Sequence, residues 1–237
     1  MSNEGIGMAR RSDLVKATAD ALKLDERTVQ LCARHLREAG LISQKGRGRS
    51  AAHMTPTDAT NMLLGVMSSS VLQDAPANVR AAREAAFNGS DVNFTGIPDD
   101  TAPPFPFLSD DGRVMSFGDA LDSLFDEIVR FGDPLRDDGL PIANFALRVE
   151  RPGLNSAIEI RDGDTWLIRF ARQDPRLDKY EGQEKIERAK EIFRATSGGL
   201  EIITRIENNE FHAIADCLRG YEPAADEAVV PPYEEAQ

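Results

Sequence analysis

The most informative stretch of this chain is residues 25–54, which read DERTVQLCARHLREAGLISQKGRGRSAAHM. Its first half predicts a helix from Glu26 to Ala39, because Asp25 can cap the first turn and Gly40 can end the last turn in the left-handed conformation. Apolar residues recur in this helix at positions i, i+3, i+4 and i+7, which predicts a buried stripe of Val29, Cys32, Ala33 and Leu36. The opposite face carries Arg27, Gln30, Leu31, Arg34 and Glu38.

Helices are also predicted on both sides of this stretch. Upstream, apolar residues at helical spacing predict a short amphipathic helix from Asp13 to Lys23, with Ser12 as its N-cap. Downstream, Thr55 and Asp58 have the spacing of a capping box, and Pro56 suits the first helical position. A helix from Pro56 to Met67 follows from this pattern.

Between the second and third of these helices, residues 41–54 predict a hairpin. Its polar tip, Gln44 to Ser50, alternates glycine with Lys45, Arg47 and Arg49. Two helices joined by a short turn and followed by a basic hairpin resemble the winged helix-turn-helix domain of bacterial transcription regulators. The resemblance covers residues 13–54, with DERTV opening the second helix and LREAGLI closing it. It implies a recognition helix at 26–39 and a wing at 44–51, and the helix at 56–67 is expected to cover the face usually taken by the leading helix of the family.

The exposed side chains of the predicted recognition helix suit the reading of DNA bases. Arg27, Gln30 and Arg34 lie about one turn apart, and guanidinium and amide groups can make paired hydrogen bonds to base edges. Thr28, together with the backbone amides at the helix start, can hold a phosphate. Further donors lie in the hairpin tip, at Lys45, Arg47 and Arg49. Glycine lets this tip approach DNA closely, so its cations are expected on phosphates or in a narrow minor groove.

Other interpretations of these residues stay open. Exposed Arg and Gln on a helix are often only a solvated face, and a Lys-Gly-Arg-Gly-Arg tip can be a soluble hairpin. Winged domains also serve purely as protein-interaction modules. The alternative function is therefore an interaction or assembly component, for example in phage packaging, whose winged head binds protein.

Charge is distributed unevenly along the 237 residues, whose formal net charge is −12. Residues 1–70 hold ten Lys and Arg against seven Asp and Glu, a net charge of +3, and the remaining residues hold 18 against 33, a net charge of −15. A basic head on an acidic body predicts that the head alone meets double-stranded DNA.

The rest of the chain predicts an α+β body. Serine, glycine and proline punctuate residues 68–112, which are expected to form a linker and irregular lead-in. A helix from Phe117 to Phe131, capped by Ser116, precedes three strand-like runs separated by Pro-Gly and Asp-Gly turns. A helix near 183–195, a strand near 200–206 and a last helix complete the pattern. The predicted fold class is α+β: a winged helix-turn-helix domain, then a domain with an antiparallel sheet of about four strands.

Four segments are predicted: a DNA-binding head at 1–67, the linker at 68–112, an acidic dimerisation or effector domain at 113–220, and a disordered acidic tail at 221–237. The tail holds five carboxylates and no Lys or Arg. It can fold back on Arg47 and Arg49 and compete with DNA, or it can simply keep the protein soluble. The helix at 117–131 can form a homodimer interface or pack on its own sheet.

Several classes of protein are not expected. The sequence has no long apolar run or signal peptide, so a cytoplasmic protein without a membrane segment is predicted. Its two cysteines provide neither a disulfide framework nor zinc-ligand spacing. Because no phosphate loop, nucleophile elbow or metal-binding helix motif is present, no enzyme activity, metal or cofactor is expected. An operator or small-molecule effector cannot be named from the residues.

Overall fold

The computed structural model describes residues 10–44, 53–92, 115–133, 144–151, 156–162, 164–171 and 202–218, with residues 179, 184, 187, 188 and 191. The helices are α1 (Arg11–Leu22), α2 (Glu26–Glu38), α3 (Pro56–Met67), α4 (Ala75–Arg83), α5 (Phe117–Phe131) and α6 (Asn208–Asp216). The strands are β1 (Ala86–Val92), β2 (Phe145–Arg151), β3 (Ser156–Asp162), β4 (Asp164–Ala171) and β5 (Ile202–Glu207). In the described ranges, no helix combines the length and the apolar character needed to cross a bilayer.

The α+β class and the antiparallel sheet are confirmed, but the sheet has five strands instead of about four. Their order is β1-β4-β3-β2-β5, and each neighbouring pair is antiparallel. The unexpected strand is β1, which lies in the predicted linker together with α4. Its sequence, AFNGSDV, lacks the alternation of apolar and polar residues that predicts a strand. The segment is a strand because it pairs with β4, for example with Phe87 opposite Phe170.

Local capping signals predict most helix starts correctly. Asp25 accepts a hydrogen bond from the Arg27 amide at 2.7 Å, and Thr55 and Asp58 form the expected capping box. The start of α1 differs from the prediction, because Arg10 and not Ser12 is the N-cap residue. Asp13 accepts a hydrogen bond from the Arg10 amide at 2.9 Å, so the third helical residue fixes this start.

One face of the sheet is apolar and packs against the helices. Alternate residues of the central strands are buried and lie opposite one another in register: Leu147, Ile158 and Ile168. Phe117 of α5 packs on Phe170 with ring centroids 5.1 Å apart, and Phe125 packs on Phe211 at 5.0 Å. The apolar face of α5 therefore packs within its own chain, as in the second alternative for this helix.

Helix α3 lies at the centre of the helical layer. All its residues except Thr57 are buried, and it contacts α1, α2, α4, α5 and α6. The buried apolar residues form one cluster that extends from Leu14 in α1 to Leu218 after α6. The predicted domain boundaries stay a prediction, but the first three helices share their core with the sheet.

A polar network connects these helices across the core. Arg83 of α4 donates to Asp122 of α5 at 2.8 and 3.1 Å, and to the Asn61 side chain of α3 at 3.1 Å. Asn61 in turn donates to the carbonyl of Leu41 at 2.7 Å. Thr57 donates to the same Asp122 carboxylate at 2.8 Å. Paired, charge-assisted hydrogen bonds of this kind fix the relative positions of α3, α4 and α5.

The other face of the sheet carries ion pairs centred on Glu159 of β3. This side chain accepts hydrogen bonds from Arg205 at 2.6 and 3.1 Å and from Arg161 at 2.8 Å. Arg205 also donates to Glu207 at 2.8 Å. The two hydrogen bonds from Arg205, followed by the one from Arg161, hold the pKa of Glu159 below its ordinary value, against the opposing effect of burial.

We predict that Gly118→Ala destabilises the protein. A Cβ atom at this position would lie 2.8 Å from Cβ of Arg83 and 3.0 Å from its Cα, where α5 crosses α4. Overpacking costs about 1–3 kcal/mol, whereas alanine gains at most about 1 kcal/mol over glycine in a helix. Urea titration should therefore show a lower free energy of unfolding for Gly118→Ala. Ser123→Ala on the same helix is the control, and equal stability of the two variants would contradict the close approach.

We also predict that Glu159→Gln lowers the free energy of unfolding by about 1–3 kcal/mol at pH 7, because charged hydrogen bonds are lost. The folded-state pKa of Glu159 lies below its unfolded value of about 4.3, so its contribution is present above that pH. The contribution is lost as the pH falls through the folded-state pKa. The stability difference between wild type and Glu159→Gln should therefore begin to shrink as the pH falls below about 4.3. A stability difference that is constant from pH 7 to pH 3 would contradict this account.

Candidate nucleic-acid interface

Helix α2 is held at both ends and along its buried face. Asp25 caps its first turn, and Arg80 of α4 donates to the Ala39 carbonyl at its last turn at 3.0 Å. Its stripe of Val29, Cys32, Ala33 and Leu36 is buried as predicted. The stripe packs so closely on α3 that a Cβ at Gly65 would lie 2.8 Å from Sγ of Cys32. The exposed face of α2 is therefore presented in a fixed orientation.

Cys32 serves this packing and not redox chemistry. Its side chain is fully buried, and burial raises the pKa of its thiol to about 12. A thiolate is the reactive form of cysteine, so the neutral thiol acts as a small apolar group, as the sequence predicts.

Three of the predicted DNA-binding residues come together in one groove of about 390 Å³ on the exposed face of α2. Arg27, Gln30 and Arg34 line this groove, and Leu31, which is 44% exposed, lies among them. Two further arginines complete the lining, Arg11 from α1 and Arg37 from α2. We call this surface the arginine groove.

Sequence reasoning did not select the last two arginines. Arg37 lies one turn after Arg34, and that helical spacing would have found it. Arg11 is distant in sequence, and only the packing of α1 against α2 brings it to the groove.

Arg34 is paired in this conformation. Its Nε donates to Oε1 of Glu38, one turn away, at 2.8 Å. The side chains are 65% and 50% exposed, and the hydrogen bond from Arg34 keeps the pKa of Glu38 below its ordinary value. Exposed ion pairs of this kind stabilise a protein only weakly, so an anion that binds Arg34 more tightly can displace Glu38.

Thr28 does not lie in the arginine groove. It lines a separate crevice of about 600 Å³ between the α1–α2 turn and β5, with Lys23 and Arg205 nearby. The Arg27 amide already donates a hydrogen bond to the Asp25 carboxylate, and Glu26 adds a second carboxylate at the helix start. The geometry therefore separates Thr28 from the other recognition-helix residues, and two carboxylates oppose a phosphate at this end.

The loop that contains the predicted wing is closed at its base by Asp58. Its buried carboxylate accepts hydrogen bonds from the amides of Ser43 at 2.8 Å and Thr55 at 2.9 Å, one on each side of the loop. The wing residues Lys45, Arg47 and Arg49 lie outside the described residues. Residues 41–44 and 53–55, which flank them, are not in strands. The winged-helix assignment thus stays a prediction, with a closed loop base in the expected place.

We predict that Asp58→Ala opens this loop base. The change leaves two amides without their acceptor and should lower the free energy of unfolding by about 1–3 kcal/mol. It should also accelerate amide hydrogen exchange at Ser43 and Thr55. Asp119→Ala is the matched control, because Asp119 occupies the same position in the first turn of α5. Unchanged exchange at Ser43 in Asp58→Ala would contradict the assigned role.

Known proteins do not indicate what the arginine groove binds. Compared with protein-family models, with curated proteins and with solved structures, the chain gives no significant match. The chemistry of the groove and its position on α2 are therefore the basis for assigning a function.

Proposed function

We propose that this chain binds double-stranded DNA sequence-specifically through the arginine groove, and that it acts as a bacterial or phage transcription regulator. The observation that carries the proposal is the groove itself. Three arginines and a glutamine of α2, with Arg11 of α1, line this groove on a protein whose net charge is −12. Such a local concentration of cations on an acidic chain marks the surface that a polyanion would meet.

The residue types fit the reading of bases as well as attraction to phosphate. Arg27, Gln30 and Arg34 can each present two hydrogen-bond donors, or a donor and an acceptor, to a base edge in the major groove. Leu31 among them can contact a thymine methyl group. Arg11 and Arg37, the other two arginines of the groove, can contact the sugar-phosphate backbone.

The rigid mounting of α2 supports this function. Caps at both ends and close packing on α3 fix the helix before any ligand binds. Pre-organisation lowers the entropic cost of binding and fixes the register of the base contacts. The ion pair between Arg34 and Glu38 must open during base contact, so Glu38 acts as a competitor for Arg34.

We predict that alanine substitutions in the groove relax sequence discrimination. A duplex selected from a random-sequence library serves as the specific ligand, and fluorescence anisotropy gives its Kd beside that of a scrambled duplex. Arg27→Ala, Gln30→Ala and Arg34→Ala should each reduce discrimination by about 1–3 kcal/mol per base contacted.

Glu38→Gln should strengthen binding, because it removes the competitor and a negative charge. The double variant Arg47→Ala, Arg49→Ala should bind the specific and the scrambled duplex with equally reduced affinity.

Arg130→Ala on α5 is the control for loss of one positive charge, and its affinity should match that of the wild type. Binding should also weaken steeply as salt is raised, because phosphate contacts release counterions. Absence of any complex at low salt, or equal discrimination by the groove variants and the wild type, would overturn the proposal.

One observation favours the alternative of a protein-binding head. Leu31 is a large apolar side chain, 44% exposed, among the arginines that line the groove, and apolar residues together with arginines are typical of protein interfaces. If the groove binds protein, Leu31→Ala should abolish capture of that partner. If it binds DNA, the same change should affect discrimination at a single base pair.

A further inference from the structure

We propose that the acidic residues 221–237 of this chain bind in the arginine groove when DNA is absent. The contact between this segment and the groove is argued from the charge and the position of the groove. Its consequence, competition with DNA, rests on the proposed function. The two parts are testable separately.

The charges of the two surfaces are complementary. Residues 221–237 contain five carboxylates and no Lys or Arg: Glu222, Asp226, Glu227, Glu234 and Glu235. The arginine groove contains four guanidinium groups, and among the residues that the structure describes only Arg34 has a carboxylate partner, Glu38. Arginine binds carboxylates through paired hydrogen bonds, which makes this segment a chemically matched ligand.

The last described residues of the chain, after α6, lie beside α1, the helix that also contributes Arg11 to the arginine groove. Helix α6 packs against α1, and Leu218 is the last described residue of this region. Burial and, after it, the nearby Asp13 carboxylate raise the pKa of Cys217, which places the end of α6 beside the start of α1. Arg11, two residues before Asp13, is part of the groove. Residues two positions apart in a helix lie on different sides of it, so the segment has to pass around α1 to reach the groove.

The length of the segment is sufficient for this contact. Residues 219–237 can extend up to about 60 Å, whereas α2 is about 20 Å long. A tethered segment of this length has an effective concentration on the order of millimolar at its own groove. Even weak ion pairs therefore populate the bound state, and they compete with DNA most strongly at low salt.

The composition of the last residues also fits the centre of the groove. Tyr233 precedes Glu234 and Glu235, so an aromatic ring lies next to two carboxylates. The groove has the matching combination, the exposed Leu31 between Arg27 and Arg34. An aromatic ring can pack on the leucine and on a guanidinium plane while the carboxylates bind the arginines.

The first test detects the contact without DNA. A nitroxide is attached to Gln237→Cys in the full chain; Cys32 is buried, and Cys217, which is partly exposed, is replaced by serine. Paramagnetic broadening should appear at the amides of Gln30, Leu31 and Arg34. It should decrease in the double variant Glu234→Gln, Glu235→Gln, and persist in the control Asp74→Asn, Glu84→Gln, which removes two exposed carboxylates elsewhere. Absence of broadening on α2 overturns the inference, whatever the protein binds.

The second test measures competition. Removal of residues 221–237 should strengthen binding to the selected duplex about five- to tenfold at low salt, and the gain should shrink as salt rises. Broadening on α2 without any DNA complex supports the contact and overturns the DNA proposal. DNA binding that is equal with and without the segment overturns the competition. Broadening that appears only between spin-labelled and isotope-labelled copies shows that the segment binds a second chain, which also overturns the inference.

Discussion

The positions of the other helices depend on α3, a helix that is buried along nearly its whole surface. Helix α3 contacts five other helices, and eleven of its twelve residues are buried. Such a position requires small and apolar side chains where partners approach closely, and Gly65 meets this requirement opposite Cys32 and Leu36. The recognition-helix candidate α2 therefore owes its position to a helix that itself makes no part of the arginine groove.

Two polar residues on α3 determine how the chain enters and leaves this core. Asp58 joins the two sides of the loop between α2 and α3, and Asn61 binds the chain just after α2 while receiving Arg83. A buried polar group is costly unless it is hydrogen-bonded, so each of these contacts also specifies a partner. Through Arg83 and Asp122 the same network reaches α5, which packs on the sheet. The position of α2 is thus linked to the sheet through side chains as well as through apolar contact.

The two charged surfaces of the protein differ in how their charges are satisfied. On the outer sheet face, Glu159, Arg161, Arg205 and Glu207 pair with one another, so arginines and carboxylates alternate and compensate. In the arginine groove, four arginines converge and Glu38 pairs with one of them. Charges that compensate one another stabilise a fold, whereas charges of one sign on an exposed helix face favour an external partner of opposite sign. This difference, and not the number of arginines, distinguishes the candidate site.

Local signals in the sequence determined much of the secondary structure. These signals act over a few residues, so they can be recognised before the fold is known. They are the helix caps at Asp25, Thr55 and Ser116, the apolar period of α5, and the alternation in β2 and β3. The same local pattern identified Arg27, Gln30 and Arg34 as one exposed face of α2.

Only the tertiary structure decided the remaining features, because they join residues that are far apart in the chain. Strand β1 exists through its pairing with β4, since its own residues do not alternate. Arg11 reaches the arginine groove through the packing of α1 on α2, whereas Thr28, next to Arg27 in the chain, lines the crevice at β5. The shared core of the first helices and the sheet depends on contacts between α1 and α6, almost two hundred residues apart. Helix caps and side-chain periods are set by neighbours within one or two turns, whereas pairing and packing depend on which distant surfaces fit together.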